Sequence, residues 1–354
     1  ARIQDGKCEV WAPTQAPQAS KDTVAKWLEM SPVDVTIHVT LLGGGFGRKS
    51  KPDYLVEAAL ISKAMEGRAV QVTWSREDDI HNGYLHTVSI EHLEAAVNAD
   101  GRTTAWLHRT VAPSISSTFD ASSVHQMPIE LGMGVMNIPF AIDNVQIENP
   151  EAKAHTRIGW FRSVANIPRA FAIQSFIAEM AHDLDRDHKA FLLELIGPAR
   201  KINPVELNDE WNYGESPEKY PLDTGRLRRV VEAVCEKANW GRDLPAGRGL
   251  GLATHYSFVS YTAAIVEVEV SDEGELTIPR IDIAVDCGPQ VNPERIRSQM
   301  EGACIMGVSL ATVGEISFKD GAVEQDNFDS YQVTRMNESP REIHVHLLPM
   351  EDFS

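Results

Sequence analysis

Several signals are missing from this sequence, and each absence removes a class of function. No apolar run reaches the ~18 residues that a membrane-spanning helix needs. Cysteine is scarce: Cys8, Cys235, Cys287 and Cys304 lie far apart, with no C-x-x-C pair. An iron–sulfur cluster or zinc knuckle held by this chain alone is therefore not expected. Positive charge is in deficit, with 33 Lys and Arg against 51 Asp and Glu and a net charge of −18. Phosphate backbones and anionic membrane surfaces are poor partners for such a chain. A G-x-G-x-x-G fingerprint, a Walker loop and a Ser/His/Asp or Cys/His arrangement are also absent.

What is present is enough for a packed protein. A hydrophobic fraction of 43% over 354 residues supports two or three domains. Alternation at Val35, Ile37 and Val39 predicts a strand, and Pro52 and Asp53 open a helix through Leu55, Val56, Ala59, Leu60 and Met65, stopped at Gly67. A further strand is expected over residues 70–74. Strands around 86–97 and 103–111 flank Asp100-Gly101, a hairpin signal repeated at Asp272-Glu273-Gly274 and Lys319-Asp320-Gly321. Helical spacing recurs at Ile173, Phe176, Ile177, Met180 and Leu184, and at Leu227, Val230, Val231 and Val234. Such a mixture of hairpins and helices reads as α+β. The proline-rich stretch 197–225 separates an expected first domain, 1–196, from a second, 226–354. The start, Ala1-Arg2-Ile3-Gln4-Asp5-Gly6, resembles the middle of a hairpin, so the chain is expected to begin inside a longer gene product.

Four segments stand out chemically. Gly43-Gly44-Gly45-Phe46-Gly47-Arg48-Lys49 follows a strand. Its glycines permit positive φ and close approach of backbone to a ligand, though a tight turn explains them too. Trp11-Ala12-Pro13-Thr14-Gln15-Ala16-Pro17-Gln18 reads as an extended segment that aims Gln15 and Gln18, or as an ordinary loop. Gly159-Trp160-Phe161-Arg162-Ser163-Val164 puts an arginine between aromatics and a helix, where it serves either a ligand or an ion pair. Asp286-Cys287-Gly288-Pro289-Gln290-Val291-Asn292-Pro293 leads to Gln299-Met300-Glu301-Gly302, which by itself is a capped, buried helix with small residues for close packing. Two other groups read as bland: His344 and His346 on one strand face as non-ligands, and Arg76-Glu77-Asp78-Asp79 as a solvated turn.

The ordered set W-A-P-T-Q, G-G-G-F-G-R-K, W-S-R-E-D-D, W-F-R-S-V, D-C-G-x-x-x-N-P and Q-M-E-G resembles the molybdopterin-binding large subunit of the xanthine oxidase superfamily. The branch it is most similar to is that of isoquinoline 1-oxidoreductase and related aldehyde dehydrogenases. The resemblance implies a molybdenum-cofactor-binding fold. It also implies oxidative hydroxylation, with water, of an aldehyde or of a carbon beside a ring nitrogen. Gln15 matches a glutamine hydrogen-bonded at the metal, and Phe46 and Gly47 match a loop lining it. Gly44 and Gly45 belong to that loop on the cofactor side. Arg162 matches an arginine near the substrate, and Gln299, with Gly302, matches a segment touching the pyranopterin.

The implied cofactor is molybdopterin cytosine dinucleotide, with no protein side chain bound directly to the metal. The implied partners are a small subunit carrying two [2Fe–2S] clusters, the remainder of the large subunit, and an electron acceptor such as cytochrome c. A soluble bacterial protein is implied, with the periplasm favoured. The catalytic glutamate of the family's G-V-G-E motif is expected beyond Ser354, and Glu315 does not replace it. No catalytic residue is therefore assigned within the chain, and the chain alone is expected not to turn over. Ser50 stands where purine-oxidising relatives carry glutamate, which argues against a purine substrate. The alternatives are a cofactor-less paralogue serving as a binding or assembly module, and a structural scaffold for a redox complex.

Overall fold

The computed structural model describes residues 1–349, and the chain divides into two compact units. The first comprises Ala1–His86, His155–Val164 and Phe318–Asn327. The second comprises Thr87–Ala154, Ala165–Ser317 and the described residues from 328 onward.

The first unit is built on a β-α-β crossover. Strand Arg2–Gln4 turns at Asp5 and Gly6, both with positive φ, and pairs antiparallel with Lys7–Ala12. Helix Pro17–Leu28 then carries the chain back, so that Val35–Val39 pairs parallel to Lys7–Ala12, with Ala12 opposite Val39. Period-2 alternation sends Cys8, Val10 and Ala12 into the core. They meet Val24, Ala25 and Leu28 of one helix and Leu55, Val56 and Ala59 of helix Asp53–Ala64. The crossover has one consequence for chemistry. The loops leaving the carboxyl ends of two adjacent parallel strands, residues 13–16 and 40–47, become neighbours, the usual position for a ligand in open α/β sheets.

Two short elements complete this unit. Leu85–His86 pairs parallel with Ile158–Gly159, and the hairpin Phe318–Lys319 to Ala322–Val323 turns at Asp320 and Gly321 with φ of 50° and 81°. The expected strand over 70–74 does not form: Val70 and Ala1 exchange a pair of backbone bonds at 2.9 Å, but no ladder continues from them. The expected solvated turn at 76–79 is instead helix Arg76–Asn82. Ser75 and Asp78 close a capping box over its first turn, with Asp78 N–H donating to Ser75 Oγ at 3.2 Å and Ser75 N–H to Asp78 Oδ2 at 3.0 Å. This S-x-x-D signature was legible and outweighs the charge run.

The second unit holds the larger core. Ile90–Val97, Thr103–Val111 and Asn144–Glu148 form one mixed sheet. Arg248–Ser257, Ser260–Val270, Leu276–Asp286 and Glu342–Leu347 form another, its last pair parallel. Helices Asn166–Asp183 and Thr224–Lys237 bury Ile173, Ile177 and Met180, and Leu227, Val230, Val231 and Val234, as their spacing predicts. Mixed sheets with packed helices make the fold α+β.

Helix Pro293–Thr312 starts at Asn292, whose side chain accepts from Arg295 N–H at 3.2 Å, but no residue along it is buried. The expectation of a buried helix is thus corrected. A Cβ at Gly302 or Gly307 would meet nothing within 4 Å, so neither glycine marks a close packing contact among the described residues. No helix of the described residues is long and apolar enough to cross a membrane.

Candidate functional site

The site is assembled where the two crossover loops meet. Thr14 is buried, and its hydroxyl closes a local turn by accepting from Ala16 N–H at 3.1 Å while donating to Lys49 O at 3.2 Å. Gln15 N–H donates to Lys49 O at 2.9 Å, and Tyr54 Oη–H to Pro13 O at 3.1 Å. The segment is not extended throughout. Pro17, with its φ already near the helical value, takes the first helical position, so Gln18 lies in the helix and bonds Asp22.

These ties fix Gln15 over the glycine loop. Gly47 N–H donates to Gln15 Oε1 at 3.1 Å. A backbone N–H can only meet an acceptor, so the carboxamide is oriented with its oxygen on the loop and its NH2 available as a donor. A Cβ on Gly45 would collide with the Gln15 side chain. Gly47 adopts φ +91°, and a Cβ there would lie 2.7 Å from Trp160 O and 2.9 Å from Trp160 Cδ1. The loop thus lies backbone-to-backbone on the Trp160-Phe161-Arg162 segment, and Arg162 N–H donates to Phe46 O at 2.9 Å. Phe46 itself is left-handed, with φ 49°, and exposes more than half of its surface. Gly44 is exposed against the Phe46 ring.

Gln15, Gly44, Gly45, Phe46, Gly47 and Arg162 therefore converge in the first unit. Gln299 and Gly302 lie on helix Pro293–Thr312 of the second unit, both exposed.

Sequence reading missed the supports beneath this cluster. Arg48 makes a two-pronged bond to Asp53 at 3.0 and 2.9 Å and faces the rings of Tyr54, Trp74 and Tyr84. Lys51 is 1% exposed, with Nζ 3.0 Å from the Trp160 ring centroid and 5.2 Å from that of Tyr84. Burial, and secondarily the Arg48 charge, pushes its ammonium down to about 7, while Asp53 opposes. The indole face favours the cation by ~1–2 kcal/mol, less than the burial cost.

Because the unfolded lysine titrates near ~10.4, the unfolded chain binds the extra proton between about 7 and there, and stability rises with pH across that window. The penalty is full below pH 7. Lys51→Met is expected to flatten this rise, removing on the order of 3 kcal/mol of pH dependence in urea unfolding compared between pH 7 and 9.5. An unchanged slope would show that Lys51 is not the titrating group.

The donors placed here are the Gln15 amide and backbone N–H groups, which bind by hydrogen bonds rather than ligate metals. Among the described residues no group of three or more His, Cys, Asp or Glu could hold a metal ion. His344 and His346 instead pair with Glu342 at 2.8 Å and Asp282 at 2.9 Å. The side-chain-free glycine loop and these donors fit a metal that arrives within its own organic ligand.

Comparison with known proteins agrees with that chemistry. A molybdopterin cofactor-binding domain model matches residues 1–193, and a second molybdopterin cofactor-binding domain model matches residues 230–340. The chain is 31% identical to the isoquinoline 1-oxidoreductase subunit beta of Brevundimonas diminuta, covering 97% of this chain and 42% of that protein. It is 29% identical to a membrane-bound aldehyde dehydrogenase [pyrroloquinoline-quinone] of Gluconacetobacter polyoxogenes, covering 98% of this chain and 45% of that one. The chain thus spans less than half the length of these relatives. In fold it is similar to the aldehyde oxidoreductase of Desulfovibrio gigas, with TM-score 0.76 at 13% identity over 98% of this chain and 53% of that one. It is also similar to quinoline 2-oxidoreductase of Pseudomonas putida 86, with TM-score 0.68 at 13% identity over 98% and 66%.

Proposed function

We propose, from the premise that the chain belongs to the molybdopterin cofactor-binding domain family of the xanthine oxidase type, that it supplies part of the cofactor cleft of an oxidoreductase. The observation that carries this reading is the pinning of Gln15 on Gly47 above a loop whose glycines leave backbone open to a ligand. The reaction is hydroxylation, with water, of an aldehyde or of a carbon beside a ring nitrogen. The cofactor, when bound, supplies the two-electron chemistry.

The chain's own residues bind and orient. The Gln15 NH2 donates toward the cofactor's metal end. The loop at Phe46 and Gly47 lines it by backbone alone. Arg162 presents its guanidinium from the adjoining segment toward the substrate, and its direction depends on the Phe46 carbonyl that holds its N–H. Gly44 and Gly45 leave room on the cofactor side, and Gln299 and Gly302 supply a further contact from their own helix. No described residue acts as general base in this reading. Glu315 lies exposed beyond the end of helix Pro293–Thr312.

The finer assignments are part of the same proposal. The cofactor is the cytosine dinucleotide form. Electrons leave through [2Fe–2S] clusters on a small partner subunit toward an acceptor such as cytochrome c, and the remainder of the large subunit completes the site. The two cofactor-binding subdomains are residues 1–196 and 226–354, joined by 197–225. The periplasm of a bacterium is the favoured compartment.

Molybdenum per chain, measured in the natively purified full-length gene product, tests the reading. A near-stoichiometric value is expected, and absence of the metal there would leave the cofactor-less paralogue as the better account.

A further inference from the structure

The segment that presents Arg162 is held in a conformation its own sequence disfavours. Ser163 and Val164 are both left-handed, with φ of 73° and 48°. For a β-branched residue this region is an outlier, worth roughly five- to thirty-fold in local population for each residue forced into it. Opposite them, Phe46 is left-handed too, and its carbonyl accepts the Arg162 N–H. Two successive left-handed residues after Arg162, and a third across from it, therefore give the chain around Arg162 a backbone path that its own residues disfavour.

One side chain supplies the contact at the most strained point. His86 Nε2 donates to Val164 O at 2.8 Å, across 78 residues of sequence. A carbonyl only accepts, so Nε2 carries the proton and the tautomer is fixed. The imidazole also packs on the Phe161 ring, centroids 4.5 Å apart and planes inclined by 53°. Its position is set by backbone: Leu85–His86 pairs with Ile158–Gly159, and Leu85 N–H donates to Arg157 O at 2.9 Å. Gly159 permits this approach, because a Cβ there would lie 2.5 Å from Tyr84 Cβ. The short strand pair thus delivers one histidine to the carbonyl of one strained residue and the ring of its neighbour.

We propose that His86 is a positioning residue whose Nε2–H holds the Val164 carbonyl, keeps Ser163 and Val164 left-handed, and thereby fixes the direction of Arg162. The consequence for chemistry rests on the proposed cofactor cleft, but the clamp does not. Two features distinguish it from a general stabilising contact. It requires a donor at the reach of Nε2, and it matters only while residue 164 resists the left-handed region.

Amide hydrogen exchange across residues 160–165 of the purified chain tests both. His86→Phe, which keeps a ring against Phe161 but has no donor, is expected to speed exchange at the Arg162 and Val164 amides about tenfold. His86→Gln, whose amide reaches the same carbonyl, should return within about twofold of the parent. Val164→Gly removes the conformational penalty, so adding His86→Phe to it should change exchange less than threefold. Equal acceleration in both backgrounds, or no rescue by glutamine, overturns the proposal. If His86→Phe does not fold, His86→Asn, whose amide stops short of the carbonyl, takes its place under the same criteria. Molybdenum content of the same variants in the full-length protein separates the two ideas: metal absent from parent and variants alike sinks the cofactor reading and leaves the exchange result to judge the clamp.

Discussion

Replacing Gly47 with alanine should disable the site and destabilise the first unit. Two costs add there. A left-handed φ of +91° penalises any residue with a Cβ, by ~1–2 kcal/mol. The new methyl would also lie 2.7 Å from the Trp160 carbonyl, 2.9 Å from Trp160 Cδ1 and 3.0 Å from Phe161 Cα, and two of those atoms are backbone that cannot rotate away. Overpacking of that kind costs a further ~1–3 kcal/mol. A total of about 2–5 kcal/mol is large beside the ~5–15 kcal/mol of a typical domain.

The chain can escape only by parting the glycine loop from residues 160–162, which breaks the Gly47–Gln15 and Arg162–Phe46 bonds together. The expected result is a fall in melting temperature of several degrees and at least a tenfold loss of molybdenum from the full-length protein. Gly43→Ala is the control: its φ is not left-handed and its Cβ would meet nothing within 4 Å, so it should stay within about 0.5 kcal/mol of the parent. Parental stability and metal content in Gly47→Ala would mean that the loop is not seated as described.

Asp286→Ala should have a comparable effect in the second unit, for an electrostatic reason. The Asp286 carboxylate is 1% exposed. It receives Arg226 Nε at 3.0 Å and Nη2 at 2.6 Å, Arg229 Nη2 at 2.6 Å and Gly288 N–H at 3.2 Å. Removing it leaves two mostly buried guanidiniums facing each other and unties the loop that leads to the cap of helix Pro293–Thr312. Breaking a buried pair from one side costs about 3–5 kcal/mol.

Burial alone would raise this carboxyl's pKa, yet the hydrogen bonds and charge of Arg226, with Gly288 N–H and Arg229, hold it below the usual carboxylate range. The unfolded aspartate titrates near ~3.9, so the stabilisation is fully present above that pH and is lost as pH falls toward the lower folded value. Acid unfolding of the parent should steepen below pH ~4, and Asp286→Asn should lack that component. A loss of under 1 kcal/mol in Asp286→Ala, by urea titration at pH 7, would refute the assignment.

The pattern of what could be read beforehand is physically consistent. Helix Asp53–Ala64, strand Val35–Val39 and the turns at Gly101, Gly274 and Gly321 follow from local rules: apolar spacing, proline and aspartate at starts, glycine where φ is positive. The capping box at Ser75 was equally local, and was masked by a run of charge. Helix Pro293–Thr312 shows the opposite limit. Its cap was readable, but its exposure was not, because small residues at helical spacing look the same whether or not anything packs on them.

By itself the sequence determined the α+β class, the order of most elements, and the identity of the six residues that converge in the first unit. Chemistry and spacing along the chain are local properties, and they survive without a fold. Only the tertiary structure decided what holds those residues. Gly47 meets Gln15 across 32 residues, His86 meets Val164 across 78, and Lys51 lies under Trp160. Left-handed Phe46, Ser163 and Val164 have no local signature, since none is a glycine and none prefers that region. A strain imposed from outside cannot be inferred from the residue that bears it, which is why the residues that converge could be singled out in the sequence and the groups that hold them could not.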